Sequence, residues 1–383
     1  MIYFDNSATT KPDPEVLETF LKVNQYYYAN PSSIHSFGGK VEKLLQQARA
    51  QFSKLLNVKE NEIFFTSGGT ESNNTAIKGT AFHHQKRGKH IITTSIEHPS
   101  IIESCEQLKD FGFEITYLNV DEKGVLNINE LEKSIREDTI LVSIMQVNNE
   151  VGSIQPINQI GQLLKNYPKI LFHVDHVQGY GKVDLDLNND GIDLCTISAH
   201  KIHGLKGTGL LYIREGIQLS PLITGGEQER KLRSGTENTS GIVAFAKALR
   251  LEKERSIKGI LQIKEILKLL RDELSSIEEI SIHTPQKYAA PHILNFSVKH
   301  YKGEVIVHAL EEMDIYVSTT SACSSKKNIP SRTLLAMGRT EEMANSSIRV
   351  SLAFENTMEE AIIFIQSLKK VISNLEKVMR RSV

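Results

Sequence analysis

Leu171-Phe172-His173-Val174-Asp175-His176-Val177-Gln178 and Leu194-Cys195-Thr196-Ile197-Ser198-Ala199-His200-Lys201 share one layout, an apolar run that ends in chemically able side chains. Similar runs at 63–66, 91–94, 115–118 and 140–147 alternate with amphipathic stretches at 70–84, 101–111 and 157–164. That alternation predicts an α/β fold with a mainly parallel sheet, because parallel neighbours need a crossover long enough for a helix. Open sheets of this kind bind ligands beyond the carboxyl ends of their strands. Thr66 to Glu71, Glu97-His98, Asn148-Asn149-Glu150, Asp175 to Gln178 and Ser198 to Lys201 all follow such runs, so five strand ends converge on one crevice.

A helical pattern from 239 to 274, with Gly259 as a possible break, leads into a second region. There strands at 280–283, 292–298, 315–318 and 347–352 interleave with helices at 305–313 and 358–379, the last opened by the capping-box pair Thr357 and Glu360. The expected division is a large domain, 14–252, and a smaller α+β domain made of 1–13 and 253–383. No internal repeat interrupts this order.

Forty-five Lys+Arg balance 46 Asp+Glu, and no block of like charges forms a nucleic-acid face. The N-terminus has no basic start, and no run approaches the ~18 apolar residues of a membrane span, so a cytoplasmic protein is expected. Cys105, Cys195 and Cys323 form neither a disulfide framework nor a zinc spacing, and no metal site is expected. Cys105 and Cys195 sit in apolar patterns and read as buried small hydrophobes. Cys323 lies in the small, polar stretch 318–325, which suits an exposed loop and a reactive thiol.

The strand-end residues suggest chemistry. A lysine amine forms a Schiff base with a carbonyl, and a carboxylate at a neighbouring strand end keeps a pyridine nitrogen protonated, so Lys201 and Asp175 suit an aldehyde cofactor. Thr66-Ser67-Gly68-Gly69-Thr70-Glu71 is either a phosphate cradle at a helix N-terminus or a glycine connection capped by Thr70. Gly204-Leu205-Lys206-Gly207-Thr208-Gly209 lacks the Lys-Ser/Thr ending of a P-loop and reads as a tight turn. His98 beside Pro99 is placed to stack on a planar ring or exchange a proton, against the alternative of a structural histidine. Arg349 interrupts a strand pattern, as a guanidinium for a carboxylate or as an edge-strand surface charge.

Together these motifs resemble the cysteine desulfurases, the NifS/IscS-like group of the class V aminotransferase family. The likeness is carried by Tyr3-Phe4-Asp5-Asn6-Ser7-Ala8-Thr9-Thr10, Asn30-Pro31-Ser32-Ser33-Ile34-His35, residues 66–73, Glu97-His98-Pro99 and Val147-Asn148-Asn149-Glu150-Val151-Gly152. It continues through Ser198 to Lys201, Gly225-Gly226-Glu227-Gln228-Glu229, Arg233-Ser234-Gly235-Thr236-Glu237-Asn238 and Ser321-Ala322-Cys323. The resemblance implies fold type I of the pyridoxal 5'-phosphate enzymes, with a mainly parallel seven-stranded sheet in the large domain.

By the same resemblance, Lys201 holds the cofactor, Asp175 pairs with its ring nitrogen, Gln178 contacts the ring hydroxyl and His98 stacks on the ring. Gly69, Thr70, Ser198 and His200 bind the phosphate, with the partner subunit's Thr236 completing it in a homodimer. Asn149 and Arg349, helped by Asn30, orient the substrate carboxylate; His98, Lys201 and Cys323 are the catalytic set. The implied reaction takes sulfur from L-cysteine, leaves a persulfide on Cys323, releases L-alanine and passes sulfur to a protein acceptor. An iron–sulfur scaffold, a tRNA-thiolating enzyme and other sulfur carriers are all compatible with that acceptor role. A selenocysteine lyase, another class V aminotransferase and a non-catalytic sulfur-transfer scaffold are the competing readings. His176, Ala199 and Leu205 depart from the family pattern, and His176 is expected to disturb cofactor packing beside Asp175.

Overall fold

The computed structural model describes residues 1–319 and 330–381; Cys323 lies outside the described residues. β1 (Ile2–Tyr3) opens the chain. β2 (Ile63–Thr66), β3 (His90–Thr94), β4 (Glu114–Leu118), β5 (Thr139–Met145), β6 (Leu171–Asp175), β7 (Leu194–Ser198) and β8 (Gly209–Ile213) then form one seven-stranded sheet in the order β2-β8-β7-β6-β5-β3-β4. β8 is antiparallel to β2 and β7, and the other pairings are parallel.

Both faces of this sheet are buried, which is why its strands read as near-continuous apolar runs. Phe172, Val174, Cys195 and Ile197 pack with helices Ser36–Leu56 and Ile157–Leu164 on one side. Leu171, Leu194, Ile91 and Leu211 pack with helices Gly69–His84 and Pro99–Lys109 on the other. Cys105 and Cys195 are fully buried, as their patterns predict. Burial pushes the Cys105 thiol up to about 12 and Cys195 well above its ordinary value, so neither is a thiolate near neutral pH.

β9 (Ile280–Ile282), β10 (Ile293–Val298) and, after β11 (Ile315–Tyr316), β12 (Ser347–Ser351) complete the strands among the described residues. They form a three-stranded antiparallel sheet, β12-β10-β9, while β1 and β11 pair in parallel. A separate core surrounds them, with Ile2 and Phe4 joining Leu294, Phe296, Ile348 and Phe364. Helix Thr239–Ser275 serves both cores, the first through Ile242 and Phe245 and the second through Ile263 and Leu270. It runs unbroken across Gly259, where the sequence suggests a break. A Cβ there would lie 2.5 Å from the Phe354 ring, so the glycine marks a close approach. Thr357 and Glu360 make the reciprocal capping bonds expected of them.

The glycine run after Lys201 turns tightly, as predicted. Gly209 at the start of β8 lies against Gly68, and a Cβ on it would stand 2.6 Å from the Gly68 backbone. This backbone-on-backbone approach fixes the turn that starts helix Gly69–His84. Gly209→Ala is expected to cost about 1–3 kcal/mol by overpacking, measured by urea unfolding. An unchanged midpoint would show that the turn yields freely.

Candidate active site

A cleft of about 240 Å³ opens beyond the carboxyl ends of β5, β6 and β7. Gly69, Thr70, His98, Asn149, Asp175, Gln178, Ser198, His200, Lys201 and Arg349 line it, so ten residues singled out in the sequence meet in one place.

Asp175 ends β6 and is buried. A buried carboxylate costs several kcal/mol unless hydrogen bonds replace its water. Here Asn73 Nδ2 donates to Oδ2 at 2.8 Å, and the Val177 backbone N–H donates to Oδ1 at 3.0 Å. Lys201 lies in the 3₁₀ turn that follows β7, and its Nζ donates to the carbonyls of Ser7 and Ala8, the latter at 2.7 Å. Ser7 O also accepts from Gln178 Nε2 at 3.0 Å.

Helix Gly69–His84 begins beside these groups with no side chain capping its first turn. Its leading N–H groups are therefore available to an anion, which the helix dipole also favours. Ser198 Oγ, fully buried at the edge of the cleft, lacks a hydrogen-bond partner. An uncapped helix end and an orphaned hydroxyl facing one cleft are what a phosphate would satisfy. The segment 66–71 thus suits the cradle better than the alternative of a Thr70-capped connection.

His98 Nδ1 accepts from the Ser100 backbone N–H at 3.1 Å and lies 2.8 Å from Ser100 Oγ, capping helix Pro99–Lys109. Burial lowers its pKa, with Asp175 opposing and Lys201 reinforcing the shift. His200, 3.2 Å from Thr9 Oγ1, is lowered to about 4 by burial and by Lys201, Lys206 and His98. Both imidazoles are neutral near pH 7. Arg349 is on an edge strand yet buried, which settles against a surface charge. Its guanidinium donates to Asn149 O and Asp5 Oδ1, both at 2.8 Å.

Asn30 and Thr236 are exposed and do not line this cleft; Asn30 Oδ1 instead accepts from Ser32 N at 2.9 Å. His176 lies off the cleft too. Its ring turns to Gln146 Oε1 at 2.5 Å and lines a second cavity, so the expected disturbance beside Asp175 does not arise.

Sequence reasoning did not single out Asn73, Asp5, the Ser7 and Ala8 carbonyls, or a role for Glu97. Asn73 was legible, because it sits one helical turn after Gly69 and therefore on the same face. Backbone carbonyls carry no sequence signal. Glu97 is buried beneath the cleft; it accepts from Thr94 Oγ1 at 2.6 Å and from the Met145 N–H at 3.0 Å, clamping β3 to β5.

Adjacent strand ends carrying a lysine and an aspartate, with an anion cradle beside them, define an enzyme of the pyridoxal-phosphate fold type I architecture. The chain belongs to the aminotransferase class-V family, which it matches over residues 2–364. It is 47% identical to the "NifS/IcsS protein homolog" of Lactobacillus delbrueckii subsp. bulgaricus, with 99% of each chain covered. It is 43% identical to "Cysteine desulfurase IscS" of Clostridium botulinum, covering 97% of this chain and 94% of that one. A solved "NIFS-LIKE PROTEIN" superposes with a TM-score of 0.92 at 39% identity, covering 97% of this chain and 99% of the other.

Burial pushes the Glu97 carboxyl up to about 8; the Thr94 and Met145 hydrogen bonds oppose this, and Asp175 adds to it. The folded protein therefore keeps a proton that the unfolded chain releases in the ordinary carboxyl range, and stability falls as pH rises through that window toward about 8. Glu97→Gln should remove up to ~1.4 kcal/mol per pH unit of this dependence, read as a flatter profile of unfolding free energy against pH. A variant profile parallel to wild type would show Glu97 ionised throughout.

Proposed function

We propose that the chain is a pyridoxal-phosphate-dependent cysteine desulfurase that converts L-cysteine to L-alanine and carries the sulfur as a persulfide on Cys323. The observation that carries this is the meeting of Lys201, Asp175 and Arg349 in one cleft with an anion cradle. Full-length similarity to a protein named for that activity supports it.

The residues fit the cofactor. The N–H groups at Gly69 and Thr70, with Ser198 and His200, would hold its phosphate; Asp175 would pair with the ring nitrogen, Gln178 with the ring hydroxyl, and His98 with the ring face. When bound, the cofactor supplies an electron sink that labilises bonds at the substrate Cα. Asn73 and the Val177 N–H keep the Asp175 carboxylate aimed. Arg349 and Asn149 orient the α-carboxylate. The Lys201 amine moves the Cα proton, and the Ser7 and Ala8 carbonyls are ready acceptors for Nζ–H whenever that amine is free. Cys323 attacks as thiolate: its Sγ bonds to the substrate sulfur, the Cβ–S bond breaks, and the carbon takes up a proton to become alanine.

A homodimer belongs to the same reading, supported by the position of Thr236 away from its own chain's cleft. So does the division into 14–252 and 1–13 with 253–383, supported by the separate core around the smaller sheet. Delivery to an iron–sulfur scaffold or a tRNA-thiolating enzyme, and a cytoplasmic location, extend it further. Among the described residues no helix is long and apolar enough to cross a membrane.

Two variants test the assignment. Lys201→Ala should abolish the visible absorbance of the loaded protein and cut sulfide release roughly 10²–10⁴-fold, the weight of a positioned proton-transfer group. Cys323→Ser should keep the absorbance, lose the persulfide detected by mass spectrometry, and lose sulfide release. Full turnover by Cys323→Ser would rule out the persulfide step.

A further inference from the structure

Arg349 meets a carboxylate before any substrate arrives. Asp5 Oδ1 accepts from Arg349 Nη2 at 2.8 Å, and Arg349 is only 1% exposed. The two residues also share a frame. Asp5 bridges Ser351, two positions along β12 from Arg349; Asn6 Nδ2 donates to Ser351 O at 3.0 Å, and the Ser7 N–H donates to Ser351 Oγ at 2.8 Å. Asp5 and Arg349 are therefore held in one hydrogen-bonded frame.

We propose that Asp5 is a positioning residue that sets carboxylate affinity: it is the resident counter-ion of Arg349, and substrate and product must share the guanidinium with it. This rests on the reading of Arg349 as the carboxylate holder. A buried guanidinium without an anion is strongly unfavourable, and Asp5 offsets part of that cost whenever no substrate is bound. Once an α-carboxylate docks, two anions face one cation, and their repulsion lowers the affinity below what Arg349 alone would give.

The surrounding charges agree with this arrangement. Glu150 also faces Arg349, and burial raises its carboxyl toward the neutral form, with Arg349 and its Ser331 hydrogen bond opposing. Burial drives His292 well below its ordinary value, and the positive charges of Lys182 and Arg349 push the same way, so it adds no cation. The Tyr3 hydroxyl is raised by burial and by Asp5, against the pull of Arg349, and keeps its proton. The gain for catalysis is ready release of alanine, whose carboxylate matches that of cysteine and which would otherwise compete for the same guanidinium.

Asp5→Asn keeps the shape and the accepting Oδ1 while removing the charge. The probe is 3-mercaptopropionate, which has the carboxylate and thiol of cysteine but no amine to condense with an aldehyde. Calorimetric titration of both cofactor-loaded and cofactor-free protein should show Asp5→Asn binding it on the order of ten-fold tighter than wild type. Asp5→Ser, which also removes the charge, should shift affinity the same way, and Asp5→Glu should stay near wild type. In turnover, KM for cysteine should fall while kcat falls or holds, as alanine leaves more slowly. Unchanged or weaker binding in both neutral variants overturns the proposal. Arg349→Gln separates the two levels: if it binds the probe like wild type, the carboxylate reading of Arg349 fails. If Arg349→Gln loses binding while the Asp5 variants are unchanged, the Asp5 inference alone fails.

Discussion

The cleft depends on the short segment from Asp5 to Asp13, which is hydrogen-bonded to both sheets. At one end Asn6 and Ser7 bond to Ser351 at the close of β12. At the other, the Thr10 N–H donates to His200 O at 2.9 Å, the His203 N–H to Thr10 Oγ1 at 2.7 Å, and the Asp13 N–H to His203 O at 2.9 Å. Lys201 lies between those last anchors on the large sheet, and Arg349 lies beside the first on the small one. The separation of Lys201 from Arg349 is thus set by a few residues of backbone. Arg255 reinforces the span from the long helix, pairing with Asp13 and with Glu355 at 3.0 Å.

Electrostatics follow from that placement. Burial keeps His98 and His200 neutral, and it lowers His173 and His176 behind them to about 3. Positive charge at the cleft is therefore concentrated on Lys201 and Arg349, each partnered by the N-terminal segment, the first by dipoles and the second by a formal charge. Carbonyl dipoles orient the Lys201 nitrogen by accepting its N–H bonds. The Asp5 carboxylate, by contrast, neutralises the Arg349 guanidinium.

Much of the fold was legible because the large sheet is buried on both faces. Its strands become apolar runs, and the polar residues that follow each run fall at one edge. Lys201, Asp175 and His98 could be read that way from position alone. Arg349 was less clear, since an arginine on an edge strand is ordinarily at the surface, and what buries it is the N-terminal segment more than three hundred residues away in sequence. The Gly259 break was misjudged for a similar reason: a glycine in a helix looks like a defect until a distant Phe354 ring claims the space. Contacts made by backbone, such as those of Ser7 and Ala8 to Lys201, leave no side-chain trace to read.

His176, Ala199 and Leu205, which depart from the family pattern, all pack away from the cleft. Position 176 follows Asp175 at the end of a strand, so its side chain points to the opposite face. A histidine there is held by Gln146, and Gly179 leaves room for it, since a Cβ on Gly179 would lie 2.5 Å from His176 Nδ1. Ala199 is buried against Gly204, where a Cβ would stand 2.7 Å from the Ala199 carbonyl oxygen and 2.8 Å from its methyl, so the turn itself requires glycine at 204. Leu205 joins the apolar cluster of Val16, Ala244 and Leu251 behind the lysine turn. Each change is absorbed on the side of the backbone away from the cleft, where packing can adjust in pairs. On the cleft side Asp175 is held by Asn73 and the Val177 N–H, and Lys201 by the Ser7 and Ala8 carbonyls, so a change there has to keep hydrogen-bond partners as well as volume.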